Sequence, residues 1–239
     1  MAKYDLTSTK VGFIGGGNMA SAIGAGLIHK GILNADNVWV SARTDRSLGF
    51  WNDLGAHGTL RNGEVLDNYT LASKLKSIVM YPRIIRCMPN TSMMVGEGIT
   101  VYCSMGTMDE DEDIVETMLS YIGVAEKVPE SLMNSVGGLS GSGPAYAYLV
   151  IEALADGAVK MGVPRPMATK FAAQVLVGAG KMVLETGRHP GQLKDEVCSP
   201  GGTTIEGVHA MERGQVRASM MNAVEAAVKK SNELASIIK

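Results

Sequence analysis

The chain has 239 residues, of which 46% are apolar and 19% are charged, and its formal net charge is −2. This length is sufficient for one large domain or two smaller ones, and the apolar content excludes an intrinsically disordered chain. The balanced charge argues against a nucleic-acid-binding protein, in which a basic excess is expected. Three widely spaced cysteines, Cys87, Cys103 and Cys198, are typical of a reducing compartment and fit neither a disulfide framework nor a zinc site.

The N-terminal sequence predicts a cytoplasmic protein. Residues 1–6 hold no apolar core of the kind that a secretory leader has. The uncharged stretch over residues 11–28 contains six glycines besides Asn18 and Ser21, a composition that is unfavourable for a membrane span. We interpret this stretch as a buried strand, a glycine-rich turn and a helix, and we expect no membrane partner.

Short β-rich runs alternate with helical stretches in the first half of the chain. Residues 11–14 and 38–41 predict buried strands, with a helix over residues 19–30 that ends at Gly31. The further predicted elements are a helix over 47–54, strands over 83–88 and 99–103, a helix over 109–121 and a strand over 124–128. Such alternation predicts the α/β class with a mostly parallel sheet.

The second half of the chain predicts helices alone. They cover residues 144–161, 165–185, 191–197, 203–212 and 215–238. The change of composition near Pro129 predicts two domains, a nucleotide-binding domain over 1–128 and an all-α domain over 129–239. Few charges lie between Leu149 and Leu184, so we expect a second subunit to cover part of these helices.

A glycine motif follows the first predicted strand and opens the first helix. Gly15, Gly17 and Ala20 match the G-x-G-x-x-G/A pattern, in which the glycines allow a tight turn and a close approach to a pyrophosphate. This context favours dinucleotide binding over an ordinary glycine turn. The second strand ends at Ser41 and Arg43 without an acidic residue. A hydroxyl and a guanidinium favour NADP over NAD, with a solvated Arg43 as the alternative.

Two glycine- and serine-rich turns precede helices in the second half, at residues 140–144 and 199–204. Amides at the start of a helix suit a carboxylate, although an ordinary N-cap is the alternative for each turn taken alone. The four histidines, at positions 29, 57, 189 and 209, have no metal-ligand spacing, and we expect no metal site.

Four segments together resemble the Δ1-pyrroline-5-carboxylate reductase family, the last enzymes of proline synthesis. They are residues 11–20, the run Arg86-Cys87-Met88-Pro89-Asn90-Thr91, residues 138–146, and the signature from His189 through Ile205. The resemblance extends over nearly all of residues 10–235. It implies a Rossmann-like N-terminal sheet, an all-α dimerisation domain with interlocked helices, and a homodimer or larger homo-oligomer.

The resemblance also implies individual roles. The residues Ile14, Gly15, Gly16, Gly17, Asn18 and Met19 would line the NADP phosphates. Ser41 and Arg43 would lie near the adenosine, and Asn62 matches an asparagine that contacts the cofactor. Amides around Gly202 and Thr203 would hold the substrate carboxylate, and Thr204 would hydrogen-bond the ring nitrogen as the expected catalytic residue.

The sequence departs from the family pattern between Leu66 and Pro82. The family has two further strands and a helix there, and residues 67–81 contain neither of its two turn motifs. A shortened sheet would either pair residues 83–88 with the first strand or close poorly. Two hypotheses follow: an active NAD(P)H-dependent reductase of 1-pyrroline-5-carboxylate, or a catalytically impaired isoform that retains the helical oligomerisation domain.

Overall fold

The computed structural model describes residues 6–67 and 83–237. The chain divides into two compact units, Met1–Gly141 and Ser142–Lys239. The predicted boundary at Pro129 precedes this division by one helix, α5 (Met133–Ser140), which packs against a strand of the first unit through Met133 and Val136. The domain boundary at Pro129 stays a prediction.

The first sheet of the N-terminal unit is parallel, as predicted. Its strands are β1 (Val11–Ile14), β2 (Val38–Ser41) and β3 (His57–Thr59), in the order β1-β2-β3. The helices that follow them are α1 (Asn18–His29), α2 (Asp45–Asp53) and α3 (Asn62–Asp67). Ser41 pairs with Ile14 on one side and with Thr59 on the other, so the carboxyl ends of the three strands are level.

The second sheet corrects the prediction of one mostly parallel sheet. It comprises β4 (Ile84–Met88), β5 (Gly98–Met105) and β6 (Gly123–Lys127), and β4 is antiparallel to β5. Only residues 89–97 connect β4 with β5, whereas a parallel crossover needs about a dozen residues or more. The helix α4 (Asp109–Ser120) provides that length between β5 and β6, which are parallel.

Of the two alternatives for the shortened sheet, the pairing of residues 83–88 with the first strand does not occur within the described residues. β1 and β4 belong to different sheets, and β4 pairs with β5 across the short connection at residues 89–97. The predicted deletion over residues 67–81 lies almost wholly outside the described residues.

Helix α1 contacts both sheets of this unit. Leu27 shares a core with Val40 and Trp51 from the first sheet and its helices. The same core includes Met93 and Ile122, from the segments that connect the strands of the second sheet. At Gly26 the two sides meet so closely that a Cβ would lie 2.8 Å from the Ile122 side chain. The Lys30 ammonium, just beyond α1, donates to the Tyr121 carbonyl. The larger core cluster of the unit therefore includes residues from both sheets, and a smaller cluster lies between β5 and α5.

A carboxylate on α4 fastens that helix to the second sheet. Glu112 accepts hydrogen bonds from the Ser104 and Thr107 hydroxyls and from the Lys127 ammonium. The hydrogen bond from Lys127, followed by those from the two hydroxyls, lowers the pKa of Glu112 to about 2. A carboxyl with a lowered pKa stabilises the folded state above its ordinary pKa, and this contribution is lost as the pH falls towards the folded value.

We therefore expect Glu112→Gln to flatten the acid limb of the stability curve. Between pH 4.5 and 2, the denaturant midpoint should fall less for this variant than for the unmodified chain. The matched control is Glu110→Gln, which changes an exposed carboxyl of the same helix. Urea unfolding at a series of pH values measures both, and equal acid limbs for Glu112→Gln and the parent would contradict the role of Glu112.

Cys103 is placed unfavourably for reaction, whereas Cys87 is exposed. Burial, followed by a hydrogen bond to Glu130, raises the pKa of the Cys103 thiol to about 11, and its Sγ lies 2.6 Å from a Glu130 oxygen. Partial desolvation by its neighbours also raises the pKa of the Cys87 thiol, although its side chain is accessible to solvent. All three cysteines are free thiols.

The second unit consists of helices. They are α6 (Gly143–Lys160), α7 (Arg165–Thr186), α8 (Pro190–Val197), α9 (Thr203–Arg213) and α10 (Val216–Ile237). Helices α6 and α7 pack through small side chains, Ala155, Ala168 and Ala172, and the Tyr146 hydroxyl on α6 donates to the Ala223 carbonyl on α10 at 3.2 Å. None of the helices in the described ranges has the length and apolarity that a membrane span requires.

Candidate nucleotide and substrate sites

The turn between β1 and α1 leaves space above its backbone. Gly15 has φ +109°, a conformation that favours glycine, and its amide donates to the Ser41 carbonyl at 2.9 Å. A Cβ added at Gly15 or Gly17 would meet no atom within 4 Å. Ile14, at the end of β1, is 57% exposed. Backbone amides, open space and an apolar side chain at a strand end fit a dinucleotide.

Trp51 supports the same turn from the protein interior. This fully buried side chain donates from Nε1 to the Gly16 carbonyl at 3.4 Å. A Cβ at Gly16 would lie 3.0 Å from Val40 and 3.1 Å from Trp51. Gly16 therefore packs against the protein interior, whereas the space beside Gly15 and Gly17 is open. The sequence reasoning missed Trp51; its signal is a large apolar residue three positions after Leu48 in a short helix, so that both lie on one face.

The ends of β2 and β3 bring two predicted cofactor residues together. The buried Ser41 hydroxyl donates to Asn62 Oδ1 at 2.7 Å. Asn62 begins α3, so this hydrogen bond connects that helix to the end of β2. Arg43 is exposed two residues beyond Ser41. A hydroxyl, an amide and a guanidinium are groups that suit the adenosine ribose and a phosphate on it.

In the second unit, the turn before α9 places the predicted substrate residues at a helix start. Gly201 has φ +66°, and the Gly202 amide donates to the Ser199 carbonyl at 3.0 Å. Thr203 is exposed and Thr204 is partly buried in the first turn of the helix. This geometry offers amides and a hydroxyl to a small anion.

The helices α1 and α9 each have a glycine as N-cap, which has no side chain that could compete with a ligand for the first amides of the helix. Gly17 and Gly202 precede them in extended conformations, and glycine has no side-chain oxygen to accept from the first amides. By contrast, α8 is capped by its own sequence, because His189 Nδ1 accepts from the Gly191 amide at 3.1 Å. Two of the three helices whose starts the sequence offers to anions thus begin after a glycine, and the third, α6, also begins without a side-chain hydrogen bond from its N-cap, Ser142.

Ser140, in the other glycine- and serine-rich turn, and His57 make contacts within the protein. In the turn at residues 140–144, the Ser140 hydroxyl donates to the Val136 carbonyl, and the Ser140 carbonyl accepts from Asn90. His57 stacks on Trp39 with ring centroids 4.6 Å apart. Within residues 6–67 and 83–237, no three His, Cys, Asp or Glu side chains come together to hold a metal ion.

Two family models match the chain. One, described as pyrroline-5-carboxylate reductase dimerisation, matches residues 130–234. The other, described as NADP oxidoreductase coenzyme F420-dependent, matches residues 10–78. Pyrroline-5-carboxylate reductase 2 of Bos taurus is 38% identical over 95% of this chain and 84% of its own length. The chain belongs to the pyrroline-5-carboxylate reductase family. The Arabidopsis thaliana pyrroline-5-carboxylate reductase is likewise 38% identical, over 95% of this chain and 96% of its own.

Solved structures of the family have the same fold. The Plasmodium falciparum pyrroline carboxylate reductase, crystallised with NADP bound, has a TM-score of 0.79 at 29% identity and covers 95% of this chain and 98% of its own. The match with the Bos taurus reductase extends over 270 residues, more than the 239 of this chain. Family members therefore contain residues without a counterpart here, and the location predicted for that difference stays a prediction.

Proposed function

We propose that this chain reduces 1-pyrroline-5-carboxylate to L-proline with NADPH, with NADH as an alternative reductant. The observation that carries the proposal is the identity of 38% to pyrroline-5-carboxylate reductases of an animal and a plant, each over 95% of the chain. Both the open turn before α1 and the turn before α9 lie within that extent. The sequence identity that supports the proposed activity therefore includes the turn in the first unit and the turn in the helical unit.

In this proposal, the first unit holds the nucleotide. The amides at the start of α1 bind the pyrophosphate between Ile14 and Met19, where Gly15, Gly16, Gly17 and Asn18 leave the backbone accessible. Ser41, Arg43 and Asn62 bind the adenosine end. The bound nicotinamide supplies a hydride for C5 of the cyclic imine.

The second unit positions the substrate. The backbone amides that follow Gly202 at the start of α9, from Thr203 onward, bind the carboxylate, since the Gly202 amide itself donates to the Ser199 carbonyl. The Thr204 hydroxyl orients the ring nitrogen. As hydride adds to C5, the C=N π electrons move to nitrogen, so a neutral imine takes up one proton there and an iminium takes up none. Among the assigned residues none is a strong acid, and orientation of the imine is the main contribution that they make to the rate.

The proposal includes a homodimer or a larger homo-oligomer in the cytoplasm. Large apolar side chains on α6 and α7 are well exposed in the single chain: Leu149 at 63%, Phe171 at 55%, Val175 at 60% and Leu184 at 79%. An apolar surface of this kind on a soluble chain favours a second subunit as its cover. The family model named for dimerisation matches this region.

The decisive test is oxidation of NADPH by the purified chain, with and without pyrroline-5-carboxylate. We expect oxidation that depends on the substrate and yields proline in equal amount. A full-length family member serves as the positive control. Nucleotide binding without turnover would favour the second hypothesis, a catalytically impaired isoform that retains the helical oligomerisation domain.

A further inference from the structure

The carboxyl ends of β2 and β3 have arginines in matching positions. Ser41 and Thr59 are the last register pair, and the Ala42 amide donates to the Thr59 carbonyl at 3.1 Å. Arg43 and Arg61 each follow that pair by two residues. Because neighbouring strands lie about 4.8 Å apart, the chain leaves the sheet at two adjacent points, each followed by an arginine.

Side chains on both sides hold the backbone at Arg61 in place. The Arg61 amide donates to the Thr59 hydroxyl oxygen at 3.1 Å, and that hydroxyl donates to the Glu64 carboxylate. The next residue, Asn62, accepts from Ser41 at 2.7 Å. Residue 61 is thus fixed between the end of its own strand and the end of β2, beside the predicted adenosine site.

The guanidinium of Arg61 is available to a ligand. Its side chain is 81% exposed, and its ion pair with Glu64 is 3.5 Å long with the Glu64 side chain 46% exposed. An exposed pair of this kind contributes little to stability, so a phosphate can replace the carboxylate at small cost. Glu64 keeps its hydrogen bond from Thr59 in that exchange.

We propose that Arg61 is a specificity-determining residue that, with Arg43, binds the 2′-phosphate of NADPH. Two guanidinium groups that approach one phosphate from adjacent strand ends make charge-assisted hydrogen bonds that a 2′-hydroxyl cannot replace. Ser41 and Asn62 then lie between the arginines, against the ribose. This inference rests on the proposed function for the identity of the nucleotide, and it assigns the discrimination between NADPH and NADH to a residue outside the glycine turn.

The test compares two ligands that differ only in the phosphate, adenosine 2′,5′-bisphosphate and 5′-AMP. Both tryptophans of the chain, Trp39 and Trp51, lie in the first sheet and its helices, so their fluorescence reports binding. We expect Arg61→Ala to weaken binding of the bisphosphate roughly tenfold and to leave 5′-AMP unchanged. Arg61→Lys should lose less than Arg61→Ala, because it keeps the charge without the planar fork.

The matched control is Arg83→Ala. Arg83 is also an exposed arginine with a carboxylate partner, Asp111 at 2.9 Å, but it precedes β4 in the other sheet. We expect this variant to bind both ligands as the parent does.

The outcomes separate this inference from the proposed function, since binding requires no turnover. A chain that prefers the bisphosphate through Arg61 but does not reduce pyrroline-5-carboxylate contradicts the proposed function alone. Equal losses for both ligands in Arg61→Ala, unchanged affinity for the bisphosphate, or a parent chain without a preference for the bisphosphate would each overturn the assignment of Arg61.

Discussion

Replacement of Thr204 by valine should lower kcat/KM for pyrroline-5-carboxylate roughly tenfold to hundredfold. Valine has the shape of threonine without the hydroxyl, so the variant removes the group that we propose to orient the ring nitrogen. Thr204 lies partly buried in the first turn of α9, and the amides that precede it remain. The affinity for NADPH, measured by tryptophan fluorescence, should not change, because the residues proposed to bind the nucleotide lie in the other unit.

Thr169→Val is the matched control for this experiment. Thr169 is a helical threonine of the same unit, but its hydroxyl donates to the Arg165 carbonyl of its own helix at 3.1 Å. We expect its kcat/KM to equal that of the parent. If Thr204→Val kept the parent kcat/KM, the ring nitrogen would have to be oriented by another group.

Replacement of Gly24 by alanine should destabilise the first unit by about 1–3 kcal/mol. A Cβ there would lie 2.4 Å from Cη2 and 2.5 Å from Cζ3 of Trp51, and 3.4 Å from the Phe13 ring. Trp51 cannot withdraw easily, because it is fully buried, with its ring centroid 5.3 Å from that of Phe13 and 5.7 Å from that of Phe50. The strain exceeds the gain of about 1 kcal/mol that alanine brings to a helix interior.

Gly49→Ala tests the same substitution without the clash. Gly49 lies inside α2, and a Cβ there meets no atom within 4 Å. We expect this variant to be stabilised by up to about 1 kcal/mol, so that the two variants change the unfolding free energy in opposite directions. Urea unfolding followed by tryptophan fluorescence measures both. Equal stabilisation by the two alanines would contradict the close packing of α1 on Trp51.

The elements with a strong local pattern could be predicted from the sequence. The strands Val11–Ile14 and Val38–Ser41 have the predicted bounds. Helix α1 differs from its prediction by one residue at each end, and α4 by one residue at its C-terminal end. Both strands are short apolar runs that end at glycine, serine or alanine, and both helices have an apolar face. Such patterns depend on neighbours in the sequence and need no knowledge of tertiary contacts.

The elements that were missed lack those patterns. β3, His57–Thr59, has three residues with a glycine among them, and α3 begins with Asn62-Gly63, which is typical of a turn. α5 contains Gly137 and Gly138 and is held by packing against β5. The direction of β4 was also missed, although the short connection over residues 89–97 contained that information.

In the candidate sites, too, the features encoded by local motifs could be predicted and those that depend on distant contacts could not. The glycine turn and the start of α9 follow from motifs, because those motifs describe backbone geometry. The contact between Ser41 and Asn62 joins residues 21 positions apart, and the support of Gly16 by Trp51 joins residues 35 apart. Contacts at such separations arise from the fold, and no spacing within a single motif encodes them.

The position of α1 against both sheets has an evolutionary consequence. In a β-sheet, backbone hydrogen bonds fix the register of neighbouring strands. Loss of a central strand therefore removes its hydrogen bonds to the strands on both sides. The contacts of α1 with the segment before β6 do not belong to such a ladder. Gly26 packs against the Ile122 side chain, and the Lys30 ammonium donates to the Tyr121 carbonyl. A lineage can therefore gain or lose chain between β3 and β4 and still keep the helix that joins its two sheets.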